Sequence, residues 1–184
     1  MGNASATNFI PERRARLPRA TVTPYNGYLF DYYGTIVSED DAIIGKIVQE
    51  IASRSPKAVE PNAIARVWEK TFRDRLDAAF GSSFRTQKEI EITSLRMVLQ
   101  TFSVNLDAQE LSQELFEYWR NPQVFEDAMV FLKALERPWG IVSNIDNEFI
   151  QASLVESGLA GTCLVTSQDC HCYKPRPEML LKGL

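Results

Sequence analysis

The chain has 184 residues, 45% hydrophobic and 24% charged, and a formal net charge of −4. These proportions support a packed core of one ordinary domain, or a small core with an insertion, and exclude wholesale disorder. No apolar run approaches the roughly 18 residues of a membrane span, and the acidic balance disfavours a general nucleic-acid binder.

Residues 1–24 carry Arg13, Arg14, Arg16 and Arg19 against Glu12, so the chain opens with a basic tail, expected to be flexible. This tail has no apolar stretch of signal-peptide type, and Ala6 stands where a myristoylation pattern needs Ser or Thr. A cytoplasmic setting is expected. Cys163, Cys170 and Cys172 form no disulfide framework. Cys170-His171-Cys172 offers zinc-type donors, but its spacing matches no common zinc pattern, so these read as ordinary loop and strand residues.

Along the chain, Gly27–Asp31 is a short aromatic and apolar run stopping at Gly34, which predicts a buried strand and a turn. Ile43, Ile44, Ile47, Val48 and Ile51 share a helical face, and Ile64, Val67, Trp68, Phe72, Leu76 and Phe80 repeat at threes and fours. Gly81-Ser82-Ser83 predicts a turn. Thr86 to Glu89 spells a capping box before Leu95, Val98, Leu99 and Phe102. Asp107 to Glu110 resembles a second box, ahead of Leu111, Leu115, Phe116 and Trp119, and Pro122 closes the helical block.

A short helix with Phe125, Met129, Phe131, Leu132 and Leu135 is expected next, then a strand over Trp139–Val142 ending at Ser143-Asn144. A helix with Phe149, Ile150 and Leu154 should stop at Gly158. Cys163–Thr166 predicts a third strand, Tyr173–Pro177 a stiff loop, and a helix should begin near Glu178. Strands alternating with helices imply a parallel α/β sheet. The expected organisation is an α/β core over residues 25–42 and 120–184, with a helical cap inserted over 43–119. Such a cap would lie over the strand ends, where these sheets bind ligands.

Asp31 follows the first strand, Ser143-Asn144 the second, and Lys174 comes after the third. On a parallel sheet these groups converge on one edge. Taken singly each has a structural reading: a turn residue, a helix cap, a solvated lysine. Taken in order, Leu29-Phe30-Asp31-Tyr32-Tyr33-Gly34-Thr35, Ile141-Val142-Ser143-Asn144 and Lys174-Pro175-Arg176-Pro177 resemble the first three motifs of the haloacid dehalogenase superfamily. The resemblance runs from about Tyr25 to the C-terminus.

The resemblance implies a doubly wound, Rossmann-like core with a helical cap and a hydrolase acting on a small molecule, with neither nucleic acid nor membrane as partner. Asp31 would be the covalent nucleophile, Ser143 and Asn144 would bind the substrate anion, and Lys174 would neutralise charge beside Asp31. Thr35 would position the nucleophile loop. Many members hydrolyse small phosphoesters with Mg²⁺, and here Asp31 and the backbone carbonyl of Tyr33 are the implied metal ligands.

Two departures shape these expectations. Phosphatases of the superfamily carry an acid where this chain has Tyr33, and a phenol is a weak acid at neutral pH. Its dehalogenases carry Tyr there, since a departing halide needs no proton, but they also need a cap arginine; Arg54, Arg66, Arg73 and Arg75 are the candidates. The fourth, acidic motif has no counterpart before Leu184, so the core is expected to lack its C-terminal part. Asp146 and Asp169 are candidate substitutes for its metal ligands, though each has a simpler role as a helix cap or loop residue. A phosphoester hydrolase is therefore the first expectation. A 2-haloacid dehalogenase and a non-catalytic remnant are the alternatives, and self-association through the first strand is expected if its edge is bare.

Overall fold

The computed structural model describes residues 26–183; the basic tail expected over 1–24 lies outside them. Strand β1 (Tyr28–Phe30) leads through a tight loop to helices α1 (Asp41–Arg54) and α2 (Pro61–Ala78). A single 3-10 turn (Gly81–Ser83) precedes α3 (Gln87–Thr101), α4 (Ala108–Leu111) and α5 (Gln113–Arg120). The chain continues through α6 (Glu126–Ala134), β2 (Trp139–Ser143), α7 (Asn147–Glu156), β3 (Cys163–Thr166), α8 (Ser167–Cys170) and α9 (Pro177–Lys182). Among the described residues no helix is long and apolar enough to cross a membrane.

The strands form a parallel three-stranded sheet in the order β1-β2-β3. Phe30 lies opposite Ile141, and Ser143 opposite Thr166. Within these residues β1 is an edge strand, as expected. Side chains alternate across a strand, and the packing follows that period. Phe30 and Ile141 meet Leu115, Phe116, Trp119, Phe149 and Ile150 on one face. Leu29, Val142 and Val165 meet Met179 and Cys172 on the other. Burying each such side chain contributes roughly 1.5–3 kcal/mol.

Helices α1 to α4 have their own core of Ile47, Val48, Ile51, Ile64, Trp68, Leu95, Val98 and Leu99. Helix α5 is different: its apolar face joins the sheet-side cluster and packs on Phe149 of α7. A continuous helix from Leu111 to Trp119 is interrupted at Ser112, whose hydroxyl bonds back to the Ala108 carbonyl at 2.8 Å. Phe80, expected on the α2 stripe, lies beyond the helix and is exposed. Helix α8 was not expected from periodicity. It is one turn long, and a Thr166–Asp169 capping box starts it.

The helical layer is fastened to the sheet layer at discrete points. Thr86 and Glu89 close their capping box, while Asp146, just after β2, accepts the Gln87 and Lys88 amides at 2.8 and 2.9 Å. The free amides of the first turn of α3 thus find acceptors from both its own sequence and the sheet. Tyr173 donates to the Arg85 carbonyl at 2.7 Å, and Gly81 donates its amide to the His171 carbonyl at 2.9 Å.

Glu91 on α3 is only 4% exposed, and its Oε1 finds no partner. Burial, with Asp40 adding to it, pushes its carboxyl up to about 8 from an ordinary 4.5. The unfolded chain releases this proton near the ordinary value, whereas the folded chain keeps it. The resulting stability is therefore present below about 4.5 and is lost as pH rises towards about 8. Urea unfolding across this window should show stability falling with rising pH in the wild type, and a flatter profile in Glu91→Gln.

Candidate active site

The loop after β1 is built around one backbone carbonyl. Tyr32 O accepts the amides of Thr35, Ile36 and Val37 at 3.2, 2.8 and 3.1 Å. Tyr32 itself is buried, with its phenol 2.7 Å from Ser153 Oγ on α7. Gly34 turns the chain at φ +74°, where any Cβ would also collide with the Glu39 side chain. This tight loop fixes Asp31 at its start. The Asp31 carboxylate accepts the Tyr32 amide through Oδ1 at 2.8 Å.

Lys174 reaches Asp31 from the loop between α8 and α9. Its Nζ lies 2.6 Å from Asp31 Oδ1 and donates to the Val142 carbonyl at 3.1 Å, while its amide donates to Asn144 Oδ1 at 2.7 Å. Asn144 is also fixed through its carbonyl, which accepts the Ser167 hydroxyl at 2.6 Å. The Asp31 side chain remains 48% exposed and that of Lys174 24%. The pair lines a cavity of about 210 Å³ with Ser143, Asn144 and Tyr33, so these sequence-derived candidates converge. Thr35 does not line it; its side chain is exposed and its amide serves the loop.

The far wall comes from residues that sequence reasoning did not single out as functional: Glu39, Asp40, Gln87 and Trp119. Trp119 is the organiser. Its carbonyl accepts the Tyr33 hydroxyl, and its indole N–H donates to Asp40 Oδ2 at 2.7 Å. Tyr118 beside it donates to the Glu39 carbonyl at 2.8 Å. Burial, reinforced by neighbouring Tyr32 and Asp40, raises the Tyr33 phenol well above its ordinary value. Tyr33 is therefore a fixed donor to a carbonyl and a poor source of protons for a reaction.

None of the four candidate cap arginines lines this cavity. Arg54 pairs with Glu50 and Arg73 with Glu69 at exposed positions. Arg66 is exposed, and Arg75 faces a separate hollow with Arg85 and Glu89. For Mg²⁺ the donors are also wanting. Asp146 spends both oxygens on α3 amides, and Asp169 holds Asn147 Nδ2 and the Thr166 amide. Asp146 begins α7 as expected, but its side chain caps α3 instead. Among the described residues no three acidic, histidine or cysteine side chains gather to hold an ion. Among the described residues, Asp31 and the Tyr33 carbonyl alone are too few donors to fit a resident metal. Cys170-His171-Cys172 is the end of α8, with His171 at φ +49° and Cys172 buried.

No family model and no curated protein matches the chain. Solved structures do. A defluorinating L-2-haloacid dehalogenase superposes with a TM-score of 0.62 at 26% identity, over 85% of this chain and 66% of that one. The L-2-haloacid dehalogenase of Xanthobacter autotrophicus with chloropropionic acid covalently bound gives 0.59 at 16% identity, over 85% and 62%. The magnesium-bound hydrolase YfnB of Bacillus subtilis gives 0.63 at 19% identity, over 87% and 73%.

The chain has the haloacid dehalogenase fold. It spans 62% to 73% of the length of these neighbours. Within the dehalogenase fold the three strand-end motifs read from the sequence fall on one edge, beneath the helical layer.

The Asp31–Lys174 pair and the Lys174–Val142 bond contribute differently. An exposed ion pair contributes under about 1 kcal/mol, while a charged donor on a backbone carbonyl contributes about 1.5–3 kcal/mol. Lys174→Met should therefore destabilise the fold more than Asp31→Asn does, by about 1–3 kcal/mol in urea unfolding.

Proposed function

We propose that the chain is a hydrolase in which Asp31 attacks a small substrate and forms a covalent ester, expelling a leaving group that departs as a stable anion. A halide on the carbon beside a carboxylate is the simplest case. The observation that carries this reading is the state of Tyr33. Where a phosphatase would hold its acid, this site holds a phenol already committed to the Trp119 carbonyl. A leaving group that needed a proton would find none there, whereas a halide needs none. A neighbour of the same fold holds chloropropionic acid covalently bound, which supports a covalent reading.

In this mechanism Lys174 keeps positive charge beside Asp31 as the ester forms, with one ammonium hydrogen left for the substrate after its bonds to Asp31 and Val142. Ser143, at the end of β2 in the cavity wall, binds the substrate anion. Asn144 acts by holding the Lys174 backbone. Thr35 supports the nucleophile loop through its backbone.

Hydrolysis of a small phosphoester is the second reading. It is favoured by the lack of a cap arginine in the cavity wall, since no guanidinium there pairs with the carboxylate of a haloacid. The two separate in one assay: halide release from 2-chloropropionate and phosphate release from p-nitrophenyl phosphate, each with and without EDTA. We expect halide release that survives EDTA, abolished in Asp31→Asn and reduced no more than about tenfold, or roughly 1.4 kcal/mol, in Tyr33→Phe. Phosphate release that EDTA stops would reverse the order of the readings. Wild-type turnover in Asp31→Asn would remove the covalent mechanism from both.

A further inference from the structure

An ester on Asp31 must still be hydrolysed, and the Asp31–Lys174 pair does not supply what that half-reaction needs. A water has to attack the Asp31 carboxyl carbon and lose a proton to a nearby base. Lys174 is a cation with donors only. Tyr33 spends its hydroxyl on Trp119. The remaining ionisable groups of the cavity wall are Glu39 and Asp40. Glu39 is exposed, whereas Asp40 is half-buried and held through Oδ2 by the indole of Trp119, itself buried. One fixed oxygen orients a carboxylate and leaves lone pairs on the other for a water.

We propose that Asp40 is the base for this second half-reaction, with Trp119 as its positioning residue; the inference rests on the covalent reading of Asp31. The water oxygen bonds to Asp31 Cγ while Asp40 takes one of its protons. The bond from Cγ to the substrate oxygen then breaks, its electron pair staying on that oxygen, and Asp40 returns the proton to it. The product leaves as a hydroxy acid, and the regenerated Asp31 carboxyl loses its own proton to solvent. Burial raises the proton affinity of Asp40, and the neighbouring Asp41 charge acts in the same direction, against the indole bond. Both shifts favour a base over a spectator carboxylate.

The test is intact-mass analysis of acid-quenched reactions of the full chain with 2-chloropropionate, with p-nitrophenyl phosphate as a second probe. Wild type should turn over with little ester present. Asp40→Asn should form the ester and hold it, with kcat lowered about a hundredfold or more. Trp119→Phe, which removes the indole donor and trims a buried ring while keeping an aromatic in the core, should accumulate less ester and lose about tenfold in kcat. Wild-type turnover in Asp40→Asn without ester would overturn the assignment of the base and leave the Asp31 reading standing. A wild type that neither turns over nor forms an ester with either probe would overturn both. Should Asp40→Asn lose cooperative melting, Trp119→Phe decides: unchanged kcat and no ester would refute the role of Asp40.

Discussion

The site depends on one side chain that ties two strand ends together. Lys174 belongs to the loop after α8, its ammonium meets the carboxylate after β1, and the same ammonium donates to a carbonyl inside β2. Its backbone is tied to Asn144, immediately beyond β2. Parallel pairing brings these ends to one edge, and a flexible lysine stem crosses the remaining gap. An arginine would carry the same charge but present a planar fork suited to one flat partner rather than to a carboxylate and a carbonyl from different strands.

The helical layer sits over this edge through polar contacts at the rim and through Ile43, Ile44 and Ile92, which pack against both the cap core and the sheet-side core. The cap core and the sheet-side core are separate clusters. The polar ties near the cavity are Asp146 on the α3 amides, Tyr173 on Arg85, and Trp119 on Asp40. Asp146 also places a negative group at the positive end of the α3 dipole, a favourable arrangement. Gln87, the first residue of α3, consequently reaches the cavity wall. Helix α5 has a double allegiance: it follows the cap in the chain, but its apolar face belongs to the sheet side, so Trp119 arrives at the cavity from a rigid support.

The strands and most helices were legible because their signals are local. Trp139–Ser143 and Cys163–Thr166 are short apolar runs bounded by turn residues, and the Thr86–Glu89 box announces α3 directly. Asp31, Ser143, Asn144 and Lys174 were legible as a set because each follows a strand and parallel order does the rest. Trp119 was not legible as a site residue. At helical spacing with Leu115 and Phe116 an aromatic reads as core, which it also is; its carbonyl and indole contacts join residues about 80 positions apart, as the separations of 86 and 79 show. Asp40 was hidden for a similar reason, since an acidic residue just before a helix resembles ordinary dipole compensation. Asp146 had two helices to choose from, and only the folded arrangement reveals that its carboxylate serves the distant one.

The position of Trp119 gives the protein a built-in optical reporter. The chain has three tryptophans. Trp68 is enclosed in the cap core, and Trp139 begins β2 at the end of the strand away from Ser143, about 13 Å distant at the usual strand rise. Trp119 alone of them lines the cavity, with its indole nitrogen bonded to a carboxylate there. Indole emission responds to the polarity and charge around the ring. Filling the cavity, or neutralising Asp40, would change the field most directly at this fluorophore, so occupancy can be followed by light alone, without a chromogenic substrate.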